Sequence, residues 1–299
     1  MTSANSAIDL SQLDPPEVVE EIDYEVILSA GIQDFYARMQ TLGVDYPQLR
    51  ESDPAYKLAE AFAYREMLLR QRANSSAKAV LLAYATGSDL EHKAAERNLQ
   101  RKVISEASSS QEAVLETDDA LRTRVQLAPE GYTTAGSEGS YIFHGMNADV
   151  RVKDIQPDSP SAGVVNLYVL SSENNGQAQE DLLNAVNLAV NQKQIRPLTD
   201  QVQVFSASIV EYEVEAVLEV EAGPDSDVIL QKAQAELASY TQQSHALSKA
   251  PALSGIYQAL HRPGVSSVEL LSPTQNFKLA VGQAAYCTAI NVSIRTLEN

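Results

Sequence analysis

The sequence predicts an α+β protein, with an N-terminal helical region followed by two small α+β modules whose strands are mostly antiparallel. Apolar residues recur at helical spacing through the first third of the chain. Beyond Gly139 the apolar period shortens to the alternation that is typical of strands. A pattern of short helix, turn, alternating strand and proline also occurs twice, at residues 142–157 and 256–273. Duplication of one module is therefore a hypothesis for the second half of the chain.

Four parts are predicted along the chain. They are an extended N-terminal arm at residues 1–20, a helical region at 21–130, a first α+β module at 131–208 and a second at 209–299. Pro15 and Pro16 exclude a helix from the arm, because proline lacks a backbone N–H and restricts the residue before it. A cluster of glycines at 131, 136 and 139 marks the junction between the helical region and the first module.

The helices of the first region are indicated by their ends. Apolar periodicity predicts a helix at residues 24–41, and Asp53 followed by Pro54 predicts the start of a long second helix. Residues 74–76 are where this helix could kink or divide before a segment at 77–85. Gly87 is predicted as a C-terminal cap, with a capping box from Ser88 starting the next helix. A further helix is predicted at residues 117–127.

The second half of the chain alternates between helical and strand patterns. Helices are predicted at residues 140–146, 179–191, 227–241 and 253–260, and strands at 150–155, 164–170, 202–206, 210–220, 265–271 and 289–295. The strand at 210–220 has the clearest alternation, with Val214, Ala216 and Leu218 on one face and glutamates on the other.

Composition excludes several classes of function. The 299 residues carry a formal net charge of −18, which repels nucleic-acid phosphate and anionic lipid, so neither nucleic acid nor membrane is an expected partner. No run approaches the roughly 18 apolar residues of a membrane span, and the N-terminus does not resemble a signal peptide. A single cysteine, Cys287, excludes an internal disulfide, and synthesis in a reducing cytoplasm is expected.

The glycine-rich junction contains one candidate catalytic serine, Ser137. Ser137 lies in a sequence one residue short of the G-x-S-x-G nucleophile elbow, and His144 follows seven residues later. The elbow requires a buried strand directly before the serine, whereas residues 127–136 have the composition of a loop. A serine esterase around Ser137 is therefore kept only as an alternative. A surface- or carbohydrate-binding module is a second alternative, although the chain lacks tryptophan and an export signal.

No catalytic, cofactor or metal site is predicted. The four histidines are scattered without ligand spacing, and neither a P-loop nor a dinucleotide-binding G-x-G-x-x-G motif is present. Glu221, Asp225 and Asp227 surround a Gly-Pro turn and could hold calcium, but a turn followed by a favourably charged helix N-terminus explains them better.

The long helix that begins at Asp53 has an apolar face interrupted by charge. This face suits contact with another protein better than it suits a dry core. Its apolar residues at helical spacing are Leu58, Ala61, Phe62, Leu68 and Leu69, and the charged residues among them are Arg65, Glu66, Arg70 and Arg72. The alternative, for Arg70 and Arg72 above all, is an ordinary solvated face. The candidate protein-interface residues are Phe62, Tyr64, Arg65, Glu66, Leu69 and Arg70.

Several segments resemble the baseplate J-like proteins of contractile phage tails and R-type, pyocin-like bacteriocins. The most specific are residues 53–90 (DPAYKLAEAFAYREMLLRQRANSSAKAVLLAYATGSDL) and the RPLTDQV segment within residues 196–218. Residues 9–25, 127–141 and 153–172 extend the resemblance over nearly the whole chain.

The resemblance implies a structural wedge component of a baseplate, not an enzyme, that links the central hub and tube to the fibre-bearing periphery. It implies contacts with a second copy of the chain, with another wedge chain through a helical core bundle, with neighbouring wedges in a six-fold ring, and with hub and sheath-initiating proteins. Carried onto this chain, Tyr64, Arg65, Glu66 and Arg70 would belong to the core bundle, and the modules after Gly139 would make dimer or wedge-to-wedge contacts. The assembled ring would transmit the trigger for contraction, as part of a virion tail or bacteriocin particle.

Overall fold

The computed structural model describes residues 10, 13–14, 16, 18–105, 112–133, 136–221 and 226–297. The chain divides into two compact units. A helical unit contains residues 8–101 and 117–125, and a sheet unit contains residues 1–7, 102–116 and 126–299. Each unit is described by itself below.

The helical unit begins with α1 (Tyr24–Thr41) and α2 (Pro54–Ala79). Asp23 caps α1, because its Oδ1 accepts a hydrogen bond from the Glu25 N–H at 2.8 Å. Pro54 occupies the first turn of α2 as predicted, but the Asp53 carboxylate accepts from the preceding Arg50 N–H instead of capping the helix. α2 is unbroken through residues 74–76, so a division there is wrong: the Ser75 hydroxyl donates to the Gln71 carbonyl, which satisfies it within the helix.

The predicted helix at 77–85 and the predicted cap at Gly87 are also wrong. α2 ends at Ala79 and turns follow it, while Gly87 is the first residue of α3 (Gly87–Ala95). Gly87 has a φ of +52°, a conformation that glycine adopts without steric cost. α4 (Asp118–Leu127) follows, and Arg101 binds α3 to α4 through Glu91 at 2.8 Å and Asp118 at 2.6 Å.

The sheet unit starts with a short antiparallel pair, β1 (Val103–Ser105) and β2 (Val114–Leu115). This pair lies inside the predicted helical region 21–130, in a stretch before residue 117 for which no individual helix was predicted. The two strands are very short, so they carry too few alternating residues for a recognisable period.

The first three-stranded sheet has the order β3-β4-β5, with β3 (Val152–Ser161), β4 (Val164–Ser171) and β5 (Gln201–Ser206). β3 pairs antiparallel with β4, which pairs parallel with β5. A 3₁₀ turn (Ala128–Tyr132) leads into α5 (Glu138–Ala148), and α6 (Glu180–Val190) lies between β4 and β5 in sequence. Leu167, Leu182 and Val186 are fully enclosed in the core between these helices and the sheet.

The strand predicted at 150–155 continues past Pro157 to Ser161. The predicted strand stops before Pro157, and proline cannot donate to a ladder of hydrogen bonds. β3 is an edge strand, where a proline nitrogen facing away from the sheet costs no ladder bond.

The second three-stranded sheet has the order β7-β6-β8, with β6 (Ser208–Glu221), β7 (Val265–Ser272) and β8 (Gln283–Leu297). β6 pairs antiparallel with β7 and parallel with β8. α7 (Ser226–Ser244) and α8 (Leu253–Leu260) cover one face, and Leu218, Leu237 and Ile256 are fully buried between them and β6. β8 begins six residues before the predicted strand. The α+β class is confirmed, and each three-stranded sheet combines one antiparallel and one parallel pair.

The two sheets share a nearly continuous strand. A single residue, Ala207, separates β5 from β6, and its N–H donates to the Val169 carbonyl at 2.8 Å. The next N–H, from Ser208, donates to the Gly282 carbonyl at 2.9 Å. The chain therefore passes from one ladder into the other without a free loop.

A small apolar cluster and several polar contacts join the two sheets. The buried residues of this inter-sheet joint are Leu170, Ala207, Leu247 and Ala284. Beside them the Asp154 carboxylate accepts from the Leu247 N–H at 2.9 Å. The Gln156 side-chain oxygen accepts from the Gly282 N–H and from the Ser248 hydroxyl, both at 2.9 Å. These contacts fix the first sheet against the second.

Candidate assembly surface

One side of α2 packs against α1. Ile27 and Leu28 of α1 and Ala63 of α2 are buried together, with Tyr56 and Met67 of α2 partly buried beside them. Residues 56, 59, 63 and 67 recur at spacings of three and four, so they lie on one side of the helix. Ala63 is the one α2 residue that reaches full burial, although α2 has 26 residues.

A second row of α2 residues is exposed. Leu58, Phe62, Arg65 and Leu69 follow one another at spacings of four, three and four, which places them on one stripe away from the α1 side. Leu58 is 58%, Phe62 60% and Leu69 68% exposed. We call these four residues the α2 stripe. Three large apolar side chains in line on one helix form a surface that water solvates poorly.

Two more apolar residues lie on a third side of α2. Tyr64 is 53% and Leu68 43% exposed, and their spacing of four places them one turn apart. Apolar side chains therefore occur on three sides of α2, with charged and polar residues between them. α1 covers only one of these three sides.

Glu66 and Arg70 are occupied within the chain. The Arg70 guanidinium donates to Glu66 at 2.7 Å and to Glu20 at 3.0 Å, and the hydrogen bond with Glu66 is the largest cause of its raised pKa. The Asn74 side-chain amide also accepts a hydrogen bond from the Glu20 N–H and donates one to the Glu20 carbonyl. Arg70 and Asn74 therefore hold residue 20 along α2.

Arg65 differs from Arg70. It is exposed within the α2 stripe and makes no ion pair in the parts of the chain that the structure describes. Of the six candidate interface residues, the structure brings together Phe62, Arg65 and Leu69. It places Tyr64 on another side of the helix and ties Glu66 to Arg70. Leu58 completes the stripe and was omitted from the candidates, although its spacing from Phe62 was visible in the sequence.

The serine considered as a nucleophile has a structural role. Ser137 is the N-cap of α5, and its Oγ accepts a hydrogen bond from the Ser140 N–H at 3.2 Å. The same hydroxyl lies 3.5 Å from a Glu130 carboxylate oxygen, and among the described residues it has no hydrogen bond to a histidine. His144 lies within α5, and burial lowers its pKa. The geometry gives no support to an esterase at Ser137.

The remaining candidates contain no organised site in the described residues. No group of three or more histidine, cysteine or acidic residues there is arranged to hold a metal ion. Residues 223 and 225 of the candidate calcium turn lie outside the described ranges. Burial raises the pKa of the Cys287 thiol, which disfavours its reactive thiolate form. Among the described residues, no helix is both long and apolar enough to cross a membrane.

An exposed apolar stripe on one side of a helix is typical of a structural protein whose surface is completed by other chains. Comparisons with known proteins agree with this class. The family model described as the Baseplate J-like N-terminal domain matches residues 51–108, and the one described as the Baseplate J-like central domain matches residues 133–206. The chain is 44% identical over 292 residues to a protein named Baseplate protein J from Escherichia phage P2, covering 95% of this chain and 97% of the relative.

The chain therefore belongs to the baseplate J-like family. This confirms the resemblance found in the sequence and the structural, non-enzymatic class that it implied, because the family is a structural one. The first matched segment, residues 51–108, contains the whole of α2 and hence the α2 stripe. The chain has a structural role in a baseplate and interacts with other baseplate components.

Proposed function

We propose that this protein is a wedge component of a contractile-tail baseplate, in a phage tail or a tail-like bacteriocin. In this role it links the central hub and tube to the periphery that carries fibres. Six wedges close into a ring, which passes the contraction trigger from the periphery to the sheath. Family membership supports the baseplate role, and the exposed α2 stripe supports assembly through helices.

The α2 stripe is proposed as this chain's contribution to a helical core bundle. The bundle would contain a second copy of this chain and another wedge chain, whose helices cover the two sides of α2 that α1 leaves open. Covering Leu58, Phe62 and Leu69 removes three large apolar side chains from water, each worth on the order of 1–2 kcal/mol. Part of this gain is offset by the entropy lost when the chains associate.

Arg65 is proposed to select the partner helix. A charge inside an apolar stripe is costly to bury unless an opposite charge meets it, so a correctly placed carboxylate on the partner is favoured over other registers. Arg65 is available for this role because it makes no ion pair within the described chain. Arg70 is less suited, since Glu66 and Glu20 already hold its guanidinium.

Complementation of a producing strain tests this proposal. The gene is deleted, and the wild type or a variant is supplied in trans while lysates are counted for intact particles by electron microscopy. The null strain should give free tubes or no contractile particles. Leu69→Lys should lower the particle count by about tenfold or more, because a charge replaces an apolar contact at the bundle.

Leu188→Lys is the matched control for Leu69→Lys. Leu188 is 73% exposed on α6, against 68% for Leu69 on α2, so both substitutions place a lysine at an exposed helical leucine. The control should assemble normally. Normal particles from the null strain would refute the baseplate role, and normal particles from Leu69→Lys alone would refute the placement of the bundle on the α2 stripe.

A further inference from the structure

The outer edge of β8 has unused backbone hydrogen-bonding groups. β8 is the last strand of its sheet and pairs only with β6. Its first residues are covered: the Ser248 N–H donates to the Gln283 carbonyl, and Leu247 forms a bridge with Ala284. From residue 288 to 297, no backbone group on the outer side bonds to another backbone group within the described ranges. One side chain, Gln234, reaches the Val292 carbonyl at 3.5 Å.

β8 has few of the features that protect exposed edges from pairing. Edge strands are usually short, or carry prolines, bulges or charges that discourage another strand. β3 contains two prolines, β5 has six residues, and β7 carries register shifts and Glu269. β8 has 15 residues, no proline and no lysine. Its register shift against β6, at Thr288, lies before the segment 289–297.

The one charged side chain of β8 points across the sheet. The Arg295 guanidinium bonds Glu219 of β6 at 3.2 Å and Glu269 of β7 at 3.1 Å. Both partners lie on the inner side of β8, because β6 and β7 follow it in the sheet order. The charge that would otherwise guard the edge is therefore held away from it.

Charge is distributed unevenly along the chain and favours contact at this end. Residues 237–297 contain one acid, Glu269, and four bases, which gives a formal charge of +3. Because the whole chain has a formal charge of −18, the remaining residues together carry a formal charge of −21. β8 itself contains no carboxylate, and its Arg295 is paired with Glu219 of the neighbouring β6 and with Glu269 of β7, so the outer strand brings no negative charge to a contact between two copies.

We infer that two copies of this chain pair through their β8 edges. The two β8 strands run antiparallel, and the two-fold axis passes between the Val292 residues of the two copies. This inference rests on the proposed association of two copies and specifies the edge that they use. The two three-stranded sheets then form one six-stranded sheet across the pair. A two-fold interface requires a surface that complements itself, and β8 satisfies this requirement.

The sequence of β8 is self-complementary in this register. Ile290 lies opposite the partner's Ile294, and Val292 meets its own copy, so the core-facing apolar row of each sheet continues into the other. On the opposite face Asn291 lies opposite the partner's Ser293. Arg295 lies opposite the partner's Ala289, so the register brings no like charges directly together.

The test measures the mass of the purified full-length chain by sedimentation velocity over a range of concentrations. The wild type should approach twice its mass of 32.5 kDa. The double variant Asn291→Lys and Ser293→Lys places like charges opposite each other across the two-fold axis, which should raise the dimer dissociation constant by about tenfold or more. Both positions are exposed, so the fold of the single chain should tolerate the change. Ser266→Lys, at an exposed position on the opposite edge strand β7, should leave the mass unchanged.

Mixing oppositely charged variants tests the register directly. The double variant Asn291→Glu and Ser293→Glu should dimerise as weakly on its own as the lysine variant does. When the two variants are mixed, they should form heterodimers, because a lysine then lies opposite each glutamate. A wild type that stays monomeric at all concentrations, or a lysine variant that dimerises like the wild type, would overturn the β8 inference. Neither result touches the baseplate role, which is measured by particle counts in the complemented strain.

Discussion

Ser137 shows how a catalytic pattern in sequence can have a structural cause. Its hydroxyl oxygen accepts the Ser140 N–H at the start of α5, and the neighbouring glycines serve close packing. A Cβ on Gly139 would lie 2.5 Å from a Glu130 carboxylate oxygen. The residues resemble a nucleophile elbow because tight turns before helices require the same small and capping residues.

Ser137→Ala should lower the free energy of unfolding by about 1 kcal/mol, because it removes one N-cap hydrogen bond. Particle assembly in the complemented strain should remain normal. Ser137→Asn, which keeps a capping oxygen, is the matched control and should retain most of the wild-type stability. Chemical denaturation measures the first effect, and a folded Ser137→Ala chain that fails to assemble would contradict this role.

Asp154 is the ionisable residue at the inter-sheet joint. It is half-buried, its carboxylate is turned to the Leu247 and Ile155 N–H groups, and Lys153 and Lys249 are the nearby cations. Burial raises the pKa of Asp154 above its ordinary value of 3.8, and the hydrogen bonds and lysines oppose this rise only partly. Ionisation of the Asp154 carboxyl is therefore less favourable in the folded chain than in the unfolded chain.

The stability that Asp154 contributes should fall as pH rises. Below 3.8 the group is protonated in both the folded and the unfolded chain. Between 3.8 and the raised folded pKa, the unfolded chain loses its proton while the folded chain keeps it, so folding becomes less favourable. The stability of Asp154→Asn relative to the wild type should rise through this window and then level off. Denaturation at a series of pH values measures the difference, and a pH-independent difference would contradict the assignment.

At the scale of the element, α2 combines two kinds of charged residue that look alike in sequence. Arg65 and Arg70 are both exposed arginines on one helix. Arg70 is held by Glu66 and Glu20, whereas Arg65 has no such partner within the described chain. The spacing of four residues between Glu66 and Arg70 is typical of an ion pair on a helix. The contact of Arg70 with Glu20 has no such signal, because it depends on how the segment before α1 lies along α2.

Charge reversal separates the two arginines. Arg65→Glu should leave the melting temperature of the isolated chain unchanged but lower the particle count by about tenfold or more, through the loss of an intermolecular ion pair. Arg70→Glu should also lower the melting temperature, since it places three carboxylates together at Glu20, Glu66 and residue 70. Arg97→Glu, at an exposed arginine of the same unit, is the control for Arg65. Normal assembly of Arg65→Glu would contradict the proposed role of Arg65 in partner choice.

At the scale of the whole molecule, the features that the sequence predicts correctly are those that local chemistry determines. The start of α2 at Pro54 follows from a residue that fits only the first turn of a helix. The long alternation in β6 follows from one buried and one exposed face. The α+β class follows from these patterns taken together.

Distant contacts explain what the sequence did not predict. The first residues of β8 are strand because Ser208, Leu247 and Ser248 bond to them from far along the chain. Leu81, Leu82 and Ala85 have helical composition but lie between α2 and α3, where the Arg122 guanidinium donates to the carbonyls of Leu82 and Ala85. The incomplete coverage of α2 was visible only once α1 was seen to bury one side of it.

The single-residue link at Ala207 has a mechanical consequence. Because β5 and β6 run on through it, a pull along this line does not stretch a loop first but loads both ladders in shear. The ladder bonds lie across the strands, so many of them share such a load at once instead of opening one after another. The two sheets should therefore behave as one stiff strut along this direction, able to carry force from one end of the sheet unit to the other.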